Sequence, residues 1–197
     1  MKRLIIALIL VAGFCCVGFA QEDTNEYSSA DVTYKTTSGG FWVWEENCNG
    51  GAGEFGINLL KEEKHLMFRN VIFVQGEGGS AKLSSNKMID FGGVEIGDKL
   101  LFGGRANCNG FIIRSYGYAG GALGILGWDD HEFGTKPFLL SIKFGGGFEF
   151  QFKKTLAFVM EFGGAQRFIF GDGGISALSD FSKCTPTLTI GYRCFKM

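Results

Sequence analysis

Two histidines, a handful of cysteines and one acidic run are the places where this chain could do chemistry. Hydrolysis or group transfer needs a base and a nucleophile gathered on one rim of a site. His65 follows the charged run Lys61-Glu62-Glu63-Lys64, and His131 stands within Asp129-Asp130-His131-Glu132. Neither has a serine or aspartate at a recognisable catalytic spacing, so no catalytic residue is assigned and the chain is expected not to be an enzyme. The 129–132 run offers carboxylates and an imidazole to a divalent cation. It lacks the spaced ligands and turn glycine of a calcium loop and is read as a solvated acidic loop, so no metal ligand and no cofactor are expected.

The cysteines carry information about compartment. Met1-Lys2-Arg3 is a basic start, Leu4 to Ala20 is almost wholly apolar, and Gly18-x-Ala20 precedes the polar Gln21-Glu22-Asp23. This pattern reads as a cleaved secretory signal peptide over residues 1–20. A lipid-modified Cys15 would need a small residue before it, where Phe14 stands. The remaining domain, 21–197, keeps Cys48, Cys108, Cys184 and Cys194, which an oxidising compartment could pair. Loss of Lys2 and Arg3 from 19 basic residues leaves 17 against 20 acidic, a net charge of −3. With no basic patch and interleaved aromatics, nucleic acid is not an expected partner.

What must position any of these groups is a sheet. From Phe138 to Phe152 the even positions read Phe, Leu, Ile, Phe, Gly, Phe, Phe, Phe, while the odd positions are Leu139 and then small or polar. Strict alternation marks a strand with one apolar and one polar face. After Lys153-Lys154-Thr155 the period resumes with Leu156, Phe158, Met160 and Phe162. Folding the runs together pairs Phe152 with Leu156, Phe150 with Phe158, Phe148 with Met160, Gly146 with Phe162 and Phe144 with Gly164. A phenylalanine covering a glycine, twice and reciprocally, supports that register.

The same reading gives eight strands, near 31–45, 50–60, 65–75, 88–103, 111–127, 138–152, 155–170 and 186–195. Short turns alternate with long polar connections at 76–87, 128–137 and 171–185. Two points stay open. Residues 94–100 could form a hairpin at Gly97-Asp98, which would remove the first strand from the count, and Leu59–Met67 could be a short helix. Phe-Gly-Gly recurs at 91–93, 102–104, 144–146 and 162–164 without a fixed period, as expected where a narrow barrel interior needs little volume.

These features together resemble the small eight-stranded outer-membrane β-barrels of the OmpX, OmpW and OmpA-barrel type: a signal peptide, alternating strands, uneven connections and a last strand running nearly to the chain end. The resemblance is architectural and covers the whole of 21–197, although Phe195 is out of phase with Tyr192 where that family ends on an outward aromatic. It implies an all-β, antiparallel up-and-down transmembrane barrel in the bacterial outer membrane. Phe144, Phe148, Phe150, Phe152, Leu156, Phe158, Met160 and Phe162 would face lipid. Lys143, Glu149, Glu161 and Arg167 would face a filled interior. The alternative is a secreted, lipocalin-type barrel with the faces inverted.

In the eight-strand scheme Cys48 lies in the first outer loop and Cys184 ends the last, so barrel closure would bring them together. The echoed Asn-Cys-Asn-Gly at 47–50 and 107–110 offers Cys48–Cys108 instead. An interior just filled by side chains excludes a general diffusion pore. The function implied is a non-enzymatic surface barrel whose loops meet envelope or external partners; the alternative is passage or binding of a small apolar molecule.

Overall fold

Alternation carried over eight segments, several of them joined by turns too short for a crossover, favours antiparallel neighbours, and that is what the molecule builds. The computed structural model describes residues 36–46, 48–59, 66–82, 88–108, 111–128, 138–153, 155–170 and 184–196. They form β1 (Thr36–Glu45), β2 (Cys48–Asn58), β3 (Leu66–Lys82), β4 (Met88–Cys108), β5 (Phe111–Trp128), β6 (Phe138–Lys153), β7 (Leu156–Phe170) and β8 (Thr185–Lys196). Each strand pairs with the next, and β8 returns to β1, closing an up-and-down barrel.

The strands wind around the axis. Followed from rung to rung, Thr36 leads through Ile57, Asn70, Leu100, Ala119, Phe144 and Gly164 to Pro186. Pro186 lies one step beyond the Thr187–Glu45 pair, so the ladder returns ten residues further along the chain than it started. Such a stagger requires strands tilted by roughly 35–45° to the barrel axis.

Both candidate first strands belong to the wall, and residues 94–100 run straight through β4 without a turn at Gly97-Asp98. Of the stretch 59–67, Leu66 and Met67 belong to β3, Leu59 N donates to Phe68 O at 3.0 Å, and 60–65 lie outside the described residues. The expected 76–87 connection is corrected. β3 continues to Lys82, paired with Met88. Gly76, Gly78 and Gly79 carry no side chains to alternate, so the sequence pattern fades while the backbone ladder does not.

In the β6–β7 hairpin Phe144/Gly164, Gly146/Phe162, Phe148/Met160 and Phe150/Phe158 are opposed. The Phe152/Leu156 pair is corrected: a bulge between Gln151 and Lys153 brings Lys153 opposite Leu156. Residues 1–20, His65, His131 and the 129–132 run lie outside the described residues.

Candidate functional site

The inner face of the wall collects nearly all of the charge. Among the described residues, six carboxylates (Glu45, Glu54, Glu77, Glu95, Glu149, Glu161) and six cations (Arg69, Lys99, Arg114, Lys143, Arg167, Arg193) are buried. Equal numbers matter, because buried charge is tolerated only when it is neutralised and hydrogen-bonded.

The pairs stack along the axis. Near the β1–β2 turn, Arg167 Nη2 lies 2.9 Å from Glu45 and 2.6 Å from Glu77, and its Nε is 3.5 Å from Glu95. Lys143 Nζ is 2.8 Å from Glu95 and donates to Gln75 Oε1 at 2.8 Å. Deeper, Lys99 joins Glu161 at 2.8 Å and also contacts Glu54, between the rings of Phe41, Phe73 and Tyr118. Tyr116 donates its hydroxyl to Glu161 at 2.8 Å.

At the next level Glu149 binds Arg69 Nη1 at 2.7 Å and Arg193 Nη1, with Arg114 Nη1 3.7 Å away. Arg193 also reaches Glu54 at 2.6 Å. Phe195 closes the floor, with the guanidinium of Arg114 4.8 Å and that of Arg69 5.4 Å from its ring centre. The out-of-phase aromatic at the chain end is therefore an interior residue, 3% exposed.

Little space remains between these layers. A cavity of about 30 Å³ is lined by Val43, Glu54, Phe73, Lys99, Tyr118 and Lys143, among others. One water needs roughly 10–15 Å³ of such volume, so the cavity holds about two waters and no solute. Inward glycines explain how so many long side chains fit. A Cβ at Gly145 would stand 2.6 Å from Gly163 Cα and 2.8 Å from the Tyr118 hydroxyl.

The structure places Lys143, Glu149, Glu161 and Arg167 inside the barrel. It places Phe144, Phe148, Phe150, Phe152, Leu156, Phe158, Met160 and Phe162 on the outer wall, beyond Phe102, Ile96 and Tyr192 on other strands. Sequence reading did not single out Glu45, Glu54, Arg69, Glu77, Glu95, Lys99, Arg114 or Arg193. Glu54 and Arg193 were findable, since both stand on the polar side of an alternating run. Arg69 and Lys99 were not, because their strands mix polar and apolar residues on both faces.

The Cys48–Cys184 disulfide is corrected. Cys48 is the first residue of β2, turned inward and buried, rather than a loop residue. Cys184 is exposed, with its Sγ 2.9 Å from where a Cβ on outward-facing Gly164 would lie. The wall separates them, and both thiols are free, as is Cys194. Glu45, Cys48 and Glu77 have ligand atoms within 4.8 Å of one another. Arg167 already supplies the positive charge among them.

No protein-family model matches the sequence, and no curated protein matches it. Solved structures do. Ail, the attachment invasion locus protein of Yersinia pestis, is 15% identical with a TM-score of 0.38, over 82% of this chain and 96% of that one. A major outer membrane protein from Thermus thermophilus is 12% identical with a TM-score of 0.42, over 82% of this chain and 98% of that one.

Proposed function

We propose that this protein is an outer-membrane β-barrel without enzymatic activity, held in lipid by its outer wall. Its connections 83–87, 129–137 and 171–183 would meet envelope or external partners. The observation that carries the reading is the polarity of the wall. The long side chains that point outward are mostly apolar, with Phe102 60%, Phe152 59% and Ile96 58% exposed, whereas the charges point inward. A soluble barrel has the opposite arrangement, and monomers in water rarely expose apolar patches beyond a few hundred Å².

Strand length supports the same reading. β3 to β7 contain 15 to 21 residues each, beyond the roughly 9–11 that a tilted strand needs to cross a bilayer. A closed ladder also pairs backbone groups between neighbouring strands without water, the condition for crossing hydrocarbon. The interior speaks against a lipocalin-type ligand cavity or a path for an apolar solute, since it is ionic and filled.

Heat-modifiability tests the reading. Protein refolded in detergent should migrate at different positions on an SDS gel before and after boiling, and should fail to fold in buffer alone. A soluble monomer in buffer with no mobility shift would sink the proposal.

A further inference from the structure

Among the described residues, Asp98 is the one carboxylate on the outer wall that stands away from the strand ends. Along the outward face of β4 the central residues read Phe102, Leu100, Asp98, Ile96 and Val94, so Asp98, ten residues from either end of the strand, has apolar neighbours on that face. Across the ladders it stands opposite Ile72 on β3 and Gly121 on β5. Its carboxylate accepts a hydrogen bond from Asn70 Nδ2 at 2.6 Å, on the outside of the wall. β4 is otherwise consistent with the barrel: Lys99, next in the chain, points inward to Glu161 and Glu54.

A carboxylate at the mid-depth of a membrane is costly, and a neutral amide does not neutralise it. What complements it is a cation at the same depth. Lipid headgroups lie at the membrane surface and cannot supply one there. A second copy of this chain does not supply one either. Among the described residues, the outward positions between the strand ends carry no lysine or arginine.

We propose that Asp98 is a docking point for another membrane-embedded protein, whose transmembrane segment presents a lysine or arginine at mid-depth. The inference rests on the membrane reading above. The surface beside Asp98 suits close approach, since Gly117, Ala119 and Gly121 form the outer face of β5 and Gly146 of β6 lies opposite Gly117. The fold does not demand glycine there: a Cβ at Gly117 or Gly121 would come no closer than 3.7 or 3.6 Å to its nearest neighbour. At inward Gly120, in contrast, it would meet Lys99 Cα at 2.7 Å.

The test uses dye-labelled protein refolded into phosphatidylcholine vesicles with a dye-labelled helix of about 20 leucine and alanine residues. The helix carries either one central lysine or a central leucine in its place. The lysine helix should give energy transfer at roughly tenfold lower peptide-to-lipid ratio than the leucine helix. Asp98→Asn should abolish that advantage and Asp98→Glu should keep it.

Equal transfer from both helices, or an advantage that survives Asp98→Asn, would overturn the proposal. So would association between barrels that displaces the lysine helix, which would make a second copy the occupant. The same vesicles are run boiled and unboiled on a gel. A mobility shift without a lysine preference removes the docking point alone. Absence of the shift removes the membrane reading and the docking point together.

Discussion

Glu149 is a junction of the interior, because Arg69, Arg114 and Arg193 converge on its one carboxylate. Removing one partner of a buried ionic group leaves the others uncompensated, which typically costs about 3–5 kcal/mol. Glu149→Gln should therefore lower the urea midpoint of the heat-modifiable form by that equivalent. An unchanged midpoint would mean that water reaches these guanidiniums. Thiol chemistry gives a second check at this scale. Exposed Cys184 should react with a maleimide in the folded protein, whereas inward Cys48 should react only after denaturation. The inward direction of Lys143, Glu149, Glu161 and Arg167 could be read from alternation alone. Their partners could not, because Arg69 and Glu149 are 80 residues apart and meet only through the stagger of the closed wall.

Within the strands, glycines divide by the face they occupy. Gly145 faces Tyr118 and Gly163 across a crowded interior, whereas Gly117 faces outward. Overpacking a filled interior costs roughly 1–3 kcal/mol. Gly145→Ala should thus destabilise the barrel measurably and Gly117→Ala should not, as read by urea titration of the two variants. Comparable losses would show that strand flexibility rather than inner volume sets the requirement. The β6–β7 register was legible because Phe/Gly pairs fix it on both sides of the turn. The bulge at Gln151–Lys153 was not, since one extra residue leaves no mark in a polar turn. The upper part of β3 was hidden for another reason: a glycine-rich stretch has a backbone ladder but no side-chain period.

For the molecule as a whole, the balance of buried charges and the small cavity predict a closed lumen. Liposomes carrying the protein should not swell in isotonic sugar solutions any faster than empty ones, and sugar-dependent swelling would contradict the packed interior. The circular order of strands also bears on synthesis. Of the strands of the wall β1 is made before the others, yet one of its two partners is β8, the last of them in chain order. Until Thr185–Lys196 arrives, β1 and β7 present open edges of 10 and 15 residues, the kind of surface that recruits other chains. The final strand, 12 residues long, is in this sense a latch. A chain lacking it leaves the wall open, so any route to the folded state has to shelter both edges until β8 is available.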